Sequence, residues 1–253
     1  MLKKRVIPVL LLRDGRMVKG TQFGNYRDTG NPKTAVRIYS AQDADELVFL
    51  DIQGNQRTRK VLAGIVSEAS MECFMPLAAG GGIESIDDVR ELLLAGADKV
   101  VVTTASVTNP ALITEISERF GSQCVVAGID YRHGEKGPRV WIRCGTAPTS
   151  LDPVEHAKSL VRLGAGEIFL NSIDRDGLMQ GFDLDIAERV ARAVPVPVIV
   201  SGGAGNFMHL VELLRDTVAS AAACASLFHF GDNNPIRARS YLRNIGIPMR
   251  VLK

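Results

Sequence analysis

Eight short β-rich runs alternating with longer segments of helical period predict a (β/α)8 barrel for this chain. Two further observations support it. The first and fifth runs, Arg5-Val6-Ile7-Pro8-Val9-Leu10-Leu11 and Val125-Val126-Ala127-Gly128-Ile129-Asp130, are nearly continuous in apolar residues, as strands covered on both faces require. The two halves of the chain also repeat one another. Glu46-Leu47-Val48-Phe49-Leu50-Asp51-Ile52 echoes Glu167-Ile168-Phe169-Leu170-Asn171-Ser172-Ile173-Asp174, and Gly80-Gly81-Gly82-Ile83 echoes Gly202-Gly203-Ala204-Gly205. The offset is about 121 residues in each pair, half a barrel of ordinary size. The predicted fold class is α/β: a single TIM barrel with two-fold half-barrel symmetry.

Candidate strands occupy 6–11, 47–52, 75–78, 99–103, 124–130, 167–171, 196–201 and 220–224. Each is a short run rich in apolar and β-branched residues. Helical periodicity marks intervening segments such as 86–95, 110–120, 153–163, 186–193 and 208–214. No linker or low-complexity segment interrupts the series, so one domain is expected over 1–253. The opening residues, Met1-Leu2-Lys3-Lys4-Arg5-Val6, place a short apolar run after charges. That run soon meets Asp14 and lacks a cleavage-site pattern, so it reads as a strand rather than a signal peptide.

With 253 residues, 46% hydrophobic and 23% charged, the chain can bury a large core. A net charge of +2 supplies no strong field for nucleic acid, while local basic residues remain compatible with a small anionic substrate. No apolar stretch is long enough for a membrane span. Cys73, Cys124, Cys144 and Cys224 are scattered without a Cys-x-x-Cys pair, which favours reduced thiols and a cytoplasmic location over disulfides or zinc. The four histidines form no metal-binding pattern, and no metal or cofactor is expected.

The glycine clusters each follow a candidate strand and precede a helix. Glycine lets backbone N–H groups approach a phosphate, and a helix start favours the anion. A tight strand-to-helix turn would explain one cluster. Two clusters at symmetric places favour two phosphate cradles, completed by Thr103-Thr104 and Ala225-Ser226, for a long substrate with a phosphate at each end. Asp51, Asp130 and Asp176 lie at strand ends on the rim where barrel enzymes hold catalytic and substrate-binding groups. Helix capping is the alternative for each. Lys19 lies in a glycine-flanked loop after the first strand, where it either contacts substrate or is simply solvated. Arg5, Glu46, Lys99 and Glu167 each start a strand. Alternating charges there would close a ring of ion pairs around the bottom mouth, a face that is usually structural.

The whole chain resembles the cyclase subunit of imidazole glycerol phosphate synthase. The residues that carry the resemblance are Lys4-Arg5-Val6-Ile7-Pro8, Asp14-Gly15-Arg16, Val18-Lys19-Gly20, 45–52, 80–83, Gly96-Ala97-Asp98-Lys99-Val100, Phe120-Gly121-Ser122-Gln123, Ser172-Ile173-Asp174-Arg175-Asp176-Gly177 and 201–205. The resemblance implies a two-fold symmetric (β/α)8 barrel with a glutaminase bound at its bottom. Ammonia released there enters through a charged gate and travels to the top. Arg5, Glu46, Lys99 and Glu167 match the gate, and Asp98 matches a residue at the glutaminase interface. Gly82 and Thr104 match one phosphate site. Asp176, Gly177, Gly203, Ala225 and Ser226 match the other. Lys19 and Asp51 match further active-site positions.

The resemblance fails at one decisive place. The family uses two aspartates as acid and base; Asp130 matches one and Leu11 replaces the other. Ala78, Thr103 and Asn171 stand where the family has threonine, asparagine and threonine. The pattern is similar to paralogs of bacterial surface-polysaccharide pathways, to which Leu10-Leu11-Leu12, Glu72-Cys73-Phe74-Met75-Pro76 and 166–172 also point. Those paralogs work with a glutaminase-like subunit and a sugar amidotransferase to install an amidino group on a nucleotide-linked sugar. Two alternatives stand beside this reading. One is a true cyclase of histidine biosynthesis, a carbon–nitrogen lyase. The other is a non-catalytic scaffold that conducts ammonia.

Overall fold

The computed structural model describes residues 3–250, so Met1 and Leu2 of the opening run, and both ends of the expected domain, lie outside the described residues. The first half of the chain runs β1 (Arg5–Arg13), β2 (Arg16–Thr21), β3 (Gly24–Gly30), α1 (Pro32–Ala41), β4 (Leu47–Asp51), α2 (Gln56–Glu72), β5 (Leu77–Gly80), α3 (Ile86–Leu94), β6 (Lys99–Val102), α4 (Thr104–Thr108) and α5 (Ala111–Phe120). The second runs β7 (Val125–Gly134), β8 (Gly137–Ile142), β9 (Ala147–Pro148), α6 (Pro153–Arg162), β10 (Glu167–Ser172), α7 (Leu184–Ala193), β11 (Val198–Ser201), α8 (Phe207–Asp216), β12 (Ala221–Cys224), α9 (Ser226–His229) and α10 (Pro235–Asn244).

Eight strands pair in parallel in the order β1, β4, β5, β6, β7, β10, β11, β12, and β12 returns to β1. That closes the barrel and leaves no edge. Two antiparallel excursions rise above it, β2–β3 from β1 and β8–β9 from β7, at equivalent places in the two halves. The symmetry extends to backbone detail. Leu11 pairs with Leu50 as Asp130 pairs with Asn171. Thr103 (φ −109, ψ −73) and Ala225 (φ −112, ψ −73) share one conformation ahead of α4 and α9.

The strands sort their side chains by the two-residue period. Ile7, Val9, Val48, Ala78, Val101, Val126, Phe169, Ile199, Ala221 and Ala223 fill the barrel interior. Their alternates, such as Val6, Leu10, Phe49, Val100 and Ile168, form the larger layer beneath the helices. Helix starts are fixed by side chains that accept orphan N–H groups. Asn55 with Thr58, and Ser85 with Asp88, make capping boxes on α2 and α3; Asp152 caps α6 and Asn206 caps α8. Asp45 and Arg239 fasten the seam between the chain's two ends. Asp45 Oδ2 accepts the Val6 N–H at 2.9 Å, Asp45 Oδ1 lies 3.5 Å from Arg239, and Arg239 also donates to the carbonyls of Asp43 and Arg250.

The sequence reading needs correction at several elements. The third barrel strand is Leu77–Gly80 rather than 75–78, because Pro76 lacks an N–H and only accepts, from Leu47 at 3.0 Å. Gly80 therefore ends that strand instead of following it. Residue 124 belongs to a 3-10 turn, Ser122–Cys124. The expected loop around Lys19 is the β2–β3 hairpin. No helix among the described residues is long and apolar enough to cross a membrane.

Candidate functional site

At the C-terminal mouth, continuing the interior alternation upward from Val9, Val48, Val101, Val126, Phe169, Ile199 and Ala223 brings Leu11, Leu50, Thr103, Asp130, Asn171, Ser201 and Ala225 to the inner wall. Gly128 makes room below Thr103, since a Cβ there would lie 2.2 Å from Thr103 Oγ1. Asp130 Oδ1 accepts a hydrogen bond from Asn171 Nδ2 at 3.2 Å. Burial pushes the Asp130 carboxyl up to about 7; the Asn171 bond opposes the rise and Asp176 adds to it. Across the symmetry, Leu11 packs on the apolar interior and offers no proton. One wall of the mouth is therefore polar and the other apolar.

Lys19 is not in a solvated loop. It sits in β2, 2% exposed, with Nζ 2.7 Å from Asp176 Oδ1 and 2.9 Å from the Gly20 carbonyl. The β2–β3 hairpin is thus clamped to the loop after β10. Gly177 (φ +74) belongs to that clamp; a Cβ there would meet the Gly20 carbonyl at 2.3 Å. Two buried oxygens of the expected cradle, Asp176 Oδ2 and Ser226 Oγ, have no hydrogen-bond partner among the described residues. A protonated or hydroxyl-bearing ligand group would satisfy them.

The two cradles are built alike. Gly82 (φ +66) and Gly203 (φ +111) each pass against a neighbouring loop, where a Cβ would lie 2.6 Å from Gly54 C and 2.0 Å from the Gly181 carbonyl. Thr104 opens α4, and its hydroxyl accepts the Arg143 N–H at 3.0 Å; Ser226 opens α9 after Ala225.

At the opposite end the four charged residues close a ring. Arg5 Nη1 lies 2.8 Å from Glu46 and 3.2 Å from Glu167, while Lys99 Nζ lies 3.0 Å from Glu46 and 3.2 Å from Glu167. Glu46 is 1% exposed. Each carboxylate is shared by both cations, which offsets the cost of burying it. Asp98 stands exposed beside Lys99, its Oδ2 accepting the Leu77 N–H at 2.8 Å.

The family model for histidine biosynthesis proteins matches residues 5–234. The chain belongs to that family. Its mouth, cradles and charged ring all fall within the matched residues.

Asp51 ends β4 at the C-terminal rim. It is an outward-facing strand residue, the neighbour of inward-facing Leu50, and its carboxylate accepts from the Gln53 N–H at 3.0 Å, the Gly54 N–H at 3.1 Å and the Thr58 hydroxyl. These bonds order the turn into α2, which Asn55 caps, so Asp51 is not itself the helix cap. Three residues that sequence reasoning missed surround the mouth. Tyr26 lies beneath the Arg13 guanidinium, 4.5 Å from its ring centre, and is pushed up to about 12 by burial, with Cys144 and Asp176 adding. Cys144, on the β8–β9 turn, donates to the Ile52 carbonyl at 3.1 Å and is pushed up to about 11 by burial, with Asp130 and Asp51 adding. His229 has two ring nitrogens without partners among the described residues and is pushed down to about 4 by burial, with Lys19 adding. No spacing in the sequence links these residues; only the hairpins and α9 do. Among the described residues no group of His, Cys, Asp and Glu could hold a metal ion.

Proposed function

We propose that this chain receives ammonia from a glutaminase subunit docked on the barrel's bottom and delivers it at the mouth for amidination of a nucleotide-linked sugar. A sugar amidotransferase completes the system, which belongs to surface-polysaccharide synthesis. The observation that carries this reading is the combination of a complete charged ring with a mouth that has one carboxylate where its symmetry has two places. Asp130 and Leu11 occupy the same register in the two halves. Ring cyclisation needs an acid and a base at separate points, and losing one such group typically removes about 10²–10⁴-fold in rate. Ammonia transfer to an activated carbon needs only one proton acceptor, a role Asp130 suits.

The bottom face supports the docking. Phe74 and Met71 are exposed on the segment leading into β5, and Leu94 on the segment leading into β6, where Asp98 accepts the Leu77 N–H at the start of β5. Exposed apolar side chains of this size, grouped at one end, mark an interaction surface. A second reading, which the family match to histidine biosynthesis proteins also accommodates, is a working cyclase of that pathway. Complementation of a strain lacking the histidine cyclase separates the two. No growth without histidine is expected; robust growth would overturn amidination in favour of cyclisation.

A further inference from the structure

The β7–β8 hairpin rises directly from the mouth carboxylate. In an antiparallel pair, residues directly opposite one another project to the same side, and every second residue along a strand shares it. Asp130 is opposite Trp141, and Arg132 is opposite Arg139. These four side chains therefore share one face, and Asp130 fixes it as the face that continues the barrel's inner wall. The other face carries Tyr131 and Val140, each 1% exposed and packed into the outer core.

Two arginines placed directly opposite each other repel, an arrangement a sheet disfavours unless an anion lies between them. Arg132 has one carboxylate at a distance, Asp174 at 3.6 Å, and its buried Nε has no hydrogen-bond partner among the described residues. Arg139 donates to the Pro138 carbonyl at 3.0 Å and meets no carboxylate among the described residues. Arg132 also stacks over the Trp141 ring, 4.9 Å from its centre. Attraction to the indole face restrains a guanidinium that can fork to oxygen pairs.

We propose that this face seats a nucleoside diphosphate. The opposed guanidiniums take the diphosphate oxygens, and the part-exposed Trp141 indole takes the planar base. The base then lies level with Asp130, and the diphosphate with the group it carries lies two residues further along the hairpin. The proposal deepens the amidination reading, on which it rests for the identity of that group, by giving the nucleotide-linked acceptor a seat on this chain.

Trp141 is the only tryptophan in the chain, so the site reports on itself. Full-length protein is titrated with ADP, GDP, CDP, UDP, inorganic pyrophosphate and inorganic phosphate, following indole fluorescence and heat of binding. At least one nucleoside diphosphate should change the fluorescence and bind about tenfold or more tightly than pyrophosphate. Arg139→Ala should weaken that binding about tenfold or more, and Arg139→Lys should restore part of it. The proposal is overturned if every nucleoside diphosphate binds no better than pyrophosphate, or if both Arg139 variants bind like the natural protein. No glutaminase or ammonia enters the titration. Its failure therefore leaves ammonia delivery standing, and a failed glutamine-coupled assay leaves this site standing.

Discussion

Asp130 and Leu11 occupy matching positions, yet they burden the fold differently. A carboxyl raised from 3.8 to about 7 by burial costs stability whenever the unfolded chain would ionise first. Below about pH 4 both states are protonated and nothing is lost. Between about pH 4 and 7 the unfolded state releases its proton while the folded state keeps it, so stability falls. Above about 7 the penalty is constant. Asp130→Asn should therefore raise the Tm at pH 8 and leave it unchanged near pH 3.5. The gain is roughly 1–2 kcal/mol, discounted for the water that reaches the rim. Equal Tm differences at both pH values would mean that the carboxyl is well solvated. Leu11→Asp is the reciprocal experiment. It returns a carboxylate to the inner wall opposite Asp130, at a strand end that need not bear a full burial cost. Turnover on the histidine-pathway substrate should be near background for the natural protein and rise in Leu11→Asp. The rise should be partial, because Ala78, Thr103 and Asn171 also differ from the cyclase pattern. Robust turnover by the natural protein would sink the amidination reading.

The barrel strands and helices α3, α5, α6, α7 and α8 were legible because they bury one face or both, and burial writes itself as period 2 or 3.6. The hairpins were not. Strand β3, Gly24-Asn25-Tyr26-Arg27-Asp28-Thr29-Gly30, buries no residue fully and so has no apolar signature. Lys19 looked like a loop lysine because its partner, Asp176, is 157 residues away. The glycine clusters were visible, and the geometry adds why glycine is required at them. Gly203 combines φ +111 with a Cβ position 2.0 Å from the Gly181 carbonyl. Gly82 has φ +66, a region other residues visit at lower cost, and a nearest approach of 2.6 Å. Gly203→Ala should lower stability by roughly 2–4 kcal/mol and Gly82→Ala by less. Chemical unfolding measures both, and calorimetry with inorganic phosphate should show weaker anion binding in each. A neutral Gly203→Ala would show that the loop after β11 relaxes freely.

The charged ring belongs to the molecule rather than to any one element. Its four residues come from β1, the residue before β4, β6 and β10, and only closure of the barrel brings them together. Their alternation of sign was legible because each begins a candidate strand, whereas the sharing of both carboxylates by both cations depends on the barrel's shear. A ring that served stability alone could be replaced by apolar residues, which often stabilise a buried ionic site. A ring that admits ammonia must keep its polarity and its ability to part. Lys99→Ala distinguishes these roles. Glu46 keeps Arg5 at 2.8 Å, so the folded barrel should survive with a loss of roughly 1–2 kcal/mol. With the cognate glutaminase, glutamine should still be hydrolysed while product formation falls behind it. Excess ammonium chloride, entering from solvent, should bring product formation back toward the natural level. If Lys99→Ala couples glutamine hydrolysis to product as tightly as the natural protein does, the ring is a structural clasp and ammonia does not pass through it.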